Sequence, residues 1–132
     1  MDGRGGITSA PVFRSGDEAM SAIKDWNAYS AALRERGKEL GQLHPEIVKG
    51  FVALSNGAAK TQHLDAKTRE FIALGVAITT KCEGCMDAHV RKALAAGATK
   101  EEIAEALGVA IALNAGAAFT YALHALDRAN EG

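Results

Sequence analysis

From about residue 17 onward, apolar positions recur at intervals of three and four, and the strict alternation expected of a half-buried strand is missing. The pattern predicts an all-α chain of about six helices. A first helix is expected over about Asp17 to Arg36, with Met20, Ile23, Trp26 and Leu33 towards one side and Gly37 as its stop. Pro45 suits the first turn of a second helix, where its missing N–H would have had no partner anyway, and Ile47, Phe51, Leu54 and Ala58 then form a stripe. Asp65 can cap a third, whose Phe71, Ile72, Leu74, Val76 and Ile78 cover most of the circumference, so this helix belongs inside. It should end near Thr79 to Lys81. A fourth helix is expected from Cys82 to Ala96, closed by Gly97. Thr99-Lys100-Glu101-Glu102 has the form of a capping box, with a hydroxyl and a carboxylate each satisfying a backbone N–H, and fixes the start of a fifth. Asn114-Ala115-Gly116 is expected to interrupt it, leaving a sixth helix that ends by Asn130.

Trp26, Phe51, Phe71 and Met86 read as core formers. The block from Gly108 to Ala118 is rich in glycine and alanine, which lets backbones approach closely but offers little bulk. Tight helix or subunit packing is the natural use for it. With 132 residues and 48% hydrophobic content, one domain spanning 17–132 can bury a core, preceded by a flexible segment, 1–16. The apolar surface such small helices leave over points to a homo-oligomer, a trimer or hexamer.

Fifteen Lys and Arg against sixteen Asp and Glu give a formal net charge of -1, without the basic stripe that binding nucleic acid requires. The opening residues carry Asp2, Arg4, several glycines and Pro11 rather than a charged start and an apolar run, so no secretory leader is expected. Gly108 to Leu126 is apolar but broken by Asn114, Thr120, Tyr121 and His124, and alanine and glycine partition weakly into lipid, so no membrane span is expected either. A reducing cytoplasm is then the expected setting. Two cysteines three apart suggest redox or metal chemistry there rather than a structural staple.

The informative stretch is Cys82-Glu83-Gly84-Cys85-Met86-Asp87-Ala88-His89. On a helix, positions 82, 85 and 89 share a narrow arc, and residues three apart lie about 5 to 6 Å apart, within disulfide reach. The N–H groups and macrodipole at a helix start favour a thiolate; Lys81 adds to this and Glu83 opposes it. His89, one turn beyond Cys85, can accept a thiol proton, and Glu70 on an otherwise apolar helix is the candidate to hold the imidazole. Cys85 is thereby the candidate for the activated thiol, while Cys82, at the frayed helix end, is expected to be open to a reducing partner.

Each residue has a plainer use. The cysteines could be small buried hydrophobes, or Cys82, Cys85, His89 and Glu70 could hold zinc, although three ligands from one helix fit a tetrahedron poorly. Glu70 could pair with Lys67 or Arg69 at the surface. His44 and His63 fall in expected loops and read as solvated, while His124 shares a face with Tyr121 and Arg128 and suits a structural or interface role.

The spacing from Glu70 through Cys82 and Cys85 to His89 resembles the alkylhydroperoxidase AhpD-like members of the carboxymuconolactone decarboxylase family. The likeness extends over roughly His44 to Asn130, including Leu64-Asp65-Ala66-Lys67-Thr68-Arg69-Glu70 and Ala96-Gly97-Ala98-Thr99-Lys100-Glu101-Glu102-Ile103. Where such proteins often have a glycine-rich turn ending in proline, this chain has Asn114-Ala115-Gly116-Ala117. The resemblance implies a small helical oligomer in which Cys85 attacks a hydroperoxide, Cys82 resolves the product, and Glu70 and His89 relay protons. It implies no metal or organic cofactor, and a dithiol reductant such as a lipoyl-bearing or thioredoxin-like protein. Decarboxylases of the family generally lack the cysteine pair, so the redox branch is favoured. A lyase acting on a lactone acid, or a non-enzymatic metal-binding or structural subunit, are the alternatives.

Overall fold

The computed structural model describes residues 23–132, and within them the chain forms five α-helices and no strand. The expected segment 1–16 and the start of the first expected helix lie outside the described residues. The helices are α1 (Trp26–Leu43), α2 (Pro45–Gly57), α3 (Ala66–Thr79), α4 (Glu83–Ala95) and α5 (Lys100–Asn130).

Side-chain caps set most of the starts. Asp25 accepts from the N–H of Ala28 at 3.0 Å, and Asp65 from that of Thr68 at 2.7 Å. The capping box closes in both directions, Glu102 N–H to Thr99 Oγ1 at 3.1 Å and Thr99 N–H to Glu102 Oε2 at 2.9 Å. The stops differ from expectation in two places. Gly37 does not end α1, which starts at Trp26 and continues to Leu43. Two ion pairs, Lys38 with Glu35 and Arg36 with Glu39, bridge the glycine, whose cost in a helix is only about 1 kcal/mol. Pro45 is the effective stop, because its ring keeps the residue before it, His44, out of the helical region. Nor does Asn114-Ala115-Gly116 break the fifth helix; α5 runs without interruption, and no sixth helix exists among the described residues. Asn114 there donates to Ala110 O and to Thr79 Oγ1, both at 2.8 Å, so its side chain ties α5 to α3 instead of turning the chain.

Three contacts at one constant offset show that α5 lies parallel to α3. Lys67 pairs with Glu102 at 2.8 Å, Gly75 faces Ala110, and Thr79 meets Asn114. Between α3 and α4 the chain reverses through Lys81, which takes a left-handed φ of 56°, while Cys82 N–H reaches back to Ala77 O at 3.0 Å. A lysine occupies the place where glycine is the usual residue, and this turn delivers the chain to the cysteines. Gly97, at φ 89°, closes α4 as expected.

The core is small: Leu74, Ala93, Ala98 and Ile103, packed against Phe71, Met86, Val90 and Leu107. Phe71 and Met86 thus take the core places expected of them, but Phe51 does not. The α2 stripe faces outward, with Ile47 58%, Phe51 70% and Leu54 76% exposed. On α3, Ile72 and Val76 are also exposed, so the interior position expected for that helix is only half filled. The α1–α2 pair touches the rest mainly where α1 crosses the start of α4. There Gly84 allows a close approach, since a Cβ on it would lie 2.9 Å from Leu33 Cδ1 and the leucine would have to turn aside. Of the described helices, only α5 is long and apolar enough to cross a membrane.

Candidate functional site

Cys82 is the N-cap of α4, one residue outside the helix expected to include it, with extended backbone and its Sγ accepting the N–H of Cys85 at 3.2 Å. The two cysteines are bonded as a disulfide, with Cα atoms 5.3 Å apart, the spacing expected of residues three apart here. Cys85 is the exposed partner and Cys82 is half-buried. This reverses the expectation that Cys82 is the open one. The first turn of α4 is not frayed, because Cys82 is held by its hydrogen bond to Ala77 O on one side and by its role as cap on the other.

One turn beyond Cys85, His89 Nδ1 lies 2.5 Å from Glu70 Oε2, across the α3–α4 contact. Both side chains are largely covered, at 28% and 18% exposed. A carboxylate accepts only, so Nδ1 carries the hydrogen of this bond, and in the neutral ring Nε2 is left as an acceptor. Glu70 therefore does not pair with Lys67 or Arg69: Lys67 is taken by Glu102, and Arg69 donates to Leu64 O. The structure makes two of the expected pairings, Cys82 with Cys85 at the start of α4, and Glu70 with His89 between the second turn of α3 and the second turn of α4.

The charge at the α4 start is balanced by a residue that periodicity did not single out. Glu83, which would oppose a thiolate, is paired with Lys24, whose ammonium also lies 4.3 Å from the ring centroid of Tyr29 and 5.5 Å from that of Trp26. Asp87 was missed as well. It is buried on the opposite side of α4 from the cysteines, accepts from Ser30 Oγ of α1, and pairs with Arg91 at 3.0 Å. An acid inside a helix followed by arginine four residues on is a readable signal, although its α1 partner, distant in sequence, is not.

The remaining histidines stay apart from the site. His44 and His63 are exposed, and His124 lies beside Tyr121 with ring centroids 5.3 Å apart on the exposed part of α5. Among the described residues no group of three or more His, Cys, Asp or Glu is arranged to hold a metal ion.

The model of the carboxymuconolactone decarboxylase family matches residues 45–128, from the start of α2 almost to the end of α5. An uncharacterized protein of Haemophilus influenzae is 50% identical over 103 residues, covering 78% of this chain and 91% of the relative. "Uncharacterized protein 4 in cox locus" of Paracoccus denitrificans is 40% identical over 97 residues, covering 74% and 84%. The five-helix fold and the length of the match agree, and the chain belongs to the carboxymuconolactone decarboxylase family, which includes the AhpD-like proteins.

Proposed function

We propose that this chain is a thiol-dependent peroxidase or disulfide reductase, cycling between a Cys82/Cys85 dithiol and their disulfide, with Glu70 and His89 relaying protons. The observation that carries the reading is the hydrogen bond from His89 Nδ1 to Glu70 Oε2, made one helical turn beyond a cysteine pair at a helix start. A lone histidine would only pack; one whose other nitrogen is held by a carboxylate is set up as a base.

In the reduced protein, His89 Nε2 takes the Cys85 proton. The Cys85 thiolate attacks one oxygen of a hydroperoxide, the O–O bond breaks, and the sulfur keeps that oxygen as a sulfenic acid. The departing alkoxide takes the proton back from His89 and leaves as an alcohol. Cys82 sulfur then displaces the sulfenic hydroxyl, an S–S bond forms and water leaves. A dithiol, of a lipoyl-bearing or thioredoxin-like protein, restores the pair by giving up two electrons and two protons and becoming a disulfide itself. Its first attack falls on the exposed Cys85 sulfur, because Cys82 is half-buried and its departing thiolate is stabilised by the Cys85 N–H. A cytoplasmic setting, where such dithiols are kept reduced, suits the cycle.

The test is consumption of hydrogen peroxide or cumene hydroperoxide with dithiothreitol as electron source, alongside intact mass. Turnover together with a reversible loss of two hydrogens is expected. A lyase acting on a lactone acid would be indifferent to the state of the pair, so protein that turns over no peroxide and shows no mass change would overturn the redox reading.

A further inference from the structure

Every group that the proposed cycle uses comes from α3 or α4, yet the first turn of α4 is also covered from the α1 side. A Cβ on Gly84 would lie 3.8 Å from Tyr29 Oη, so the tyrosine reaches the turn between the two cysteines. Trp26 packs edge-on to Tyr29, with ring centroids 5.9 Å apart and planes at 85°. The Lys24 ammonium lies against both rings and pairs with Glu83. Its place follows from the helix start, because the next residue, Asp25, caps α1. Ser30 and Asp87 make a second attachment, and Glu83 and Asp87 are one turn apart on α4, so two contacts fasten α1 along one face. Lys24, Trp26, Tyr29 and Leu33 all precede the stretch shared with the family.

As a fastening, an ion pair this exposed adds little. Its charge matters more. A carboxylate inside the motif opposes any thiolate at the same helix start, against the N–H groups that favour one. Around the cysteine pair stand Lys81 in the turn before it, Glu70 and His89 bonded to one another, and Asp87 taken up by Ser30 and Arg91; Tyr29 adds a hydroxyl. Lys24 is the cation that meets Glu83.

We propose that Lys24 is a positioning residue for the thiol pair: steadied by the Tyr29 and Trp26 rings, it cancels the Glu83 charge within Cys82-Glu83-Gly84-Cys85 and thereby favours the thiolate and the reduction of the disulfide. The inference rests on the redox reading of the site and deepens it. Reduction by a dithiol puts two electrons into the S–S bond and brings two protons, one to a sulfur and one to His89 Nε2, so the reduced pair carries a thiolate. An unbalanced Glu83 drives the second proton back onto sulfur and shifts the equilibrium towards the disulfide. The tuning charge thus comes from a segment outside the helix pair that carries the chemistry.

A charge cycle in the full-length protein tests it. Lys24→Met keeps the side-chain length, and with Ser30 and Asp87 still joined it should keep the helical circular dichroism. Iodoacetamide should alkylate its reduced form about fivefold more slowly at pH 7, with the midpoint of the pH profile raised by about one unit. In glutathione redox buffers at pH 8, its equilibrium should move about fivefold towards the disulfide, or about 20 mV more negative. Lys24→Arg should match the wild type, and Glu83→Gln should alkylate no more slowly than it. The double variant Lys24→Met with Glu83→Gln should return to within about twofold of the wild type, since no anion is left to balance. A double variant as slow as Lys24→Met would show that the lysine acts by packing α1, and an unchanged Lys24→Met profile would show that it does not act at all; either overturns the proposal. Alkylation needs neither peroxide nor a partner protein. A wild-type pair that fails to re-form its disulfide therefore sinks the redox reading, whereas a pair that cycles normally in Lys24→Met sinks this inference alone.

Discussion

Glu70 Oε2 stands 2.5 Å from His89 Nδ1, and the two residues are supplied by adjacent helices, α3 and α4, so the position of the imidazole depends on how those helices pack. Leu74 lies one turn beyond Glu70 and Val90 follows His89, both in the packed core, which makes the pair a property of the best-formed part of the molecule.

The relay gives the first prediction. If His89 Nε2 takes the Cys85 proton while Glu70 holds the ring, His89→Ala should slow alkylation of the reduced protein at neutral pH by about a hundredfold, and Glu70→Gln by about tenfold. Both variants should retain their helical circular dichroism. Iodoacetamide rates followed across pH make the measurement; profiles unchanged in both variants would reduce Glu70 and His89 to packing residues.

Asp87 leads to a prediction about assembly rather than chemistry. Its carboxylate is buried and holds α1 to α4 through Ser30, with Arg91 as its second partner. Asp87→Ala strands the Ser30 hydroxyl and should cost about 2 kcal/mol in urea unfolding, whereas Ser30→Ala, which leaves the Arg91 pair in place, should cost about 1 kcal/mol. Hydrogen exchange should show α1 amides losing protection first in both variants, with α3 and α4 little affected.

Stability should also depend on pH at the helix caps. The backbone N–H of Thr68, with its hydroxyl, lowers the Asp65 carboxyl below its ordinary 3.8, and Lys67, with the Thr99 N–H, lowers Glu102 below 4.5. An acid whose folded pKa is depressed adds stability above its ordinary pKa and loses it as pH falls through the folded one, so both contributions vanish in the acid limb. Lys67, raised above 10.5 by Glu102, has the opposite sign: its contribution is complete below 10.5 and is lost as pH rises through the higher folded value. These groups are exposed and the effects are small. Melting temperature should be flat through the neutral range and fall at both ends; Glu102→Gln, which can keep the cap, should flatten both limbs, and Asp65→Asn chiefly the acid one, because Asp65 contributes least to raising Lys67.

What could be read from the sequence was what is local in the chain. Caps at Asp65 and Thr99 and the stop at Gly97 are determined within a few residues, and they stand as expected. Gly37 and Asn114-Ala115-Gly116 misled for one reason: a residue that can end a helix does so only when the chain gains elsewhere. Ion pairs across Gly37 and the Asn114 bond to Thr79 make continuation the better outcome. Lys24 with Glu83 and Ser30 with Asp87 are separated by 59 and 57 positions, and no periodicity reports such partners. The outward stripe on α2 shows the remaining gap, since periodicity identifies an apolar face but not the chain that covers it.

The last prediction concerns the inequivalence of the two cysteines. Cys85 is exposed and one turn from His89, whereas Cys82 is half-buried and its sulfur receives the Cys85 N–H at 3.2 Å. Exposure and a nearby base suit Cys85 to meeting the oxidant. The cap hydrogen bond stabilises negative charge on Cys82, which makes it a good resolving nucleophile and, when the disulfide is opened, a good leaving group. Cys85→Ser should therefore abolish peroxide consumption, while Cys82→Ser should react once and hold a sulfenic acid on Cys85 that dimedone traps. When the same Cys82→Ser protein, in its sulfenic form, meets a monothiol, a stable mixed disulfide should accumulate on Cys85, because no neighbouring sulfur is left to expel it. Peptide mass mapping reads both results. Adducts found on Cys82 in the Cys85→Ser protein, together with continued peroxide loss, would exchange the two roles.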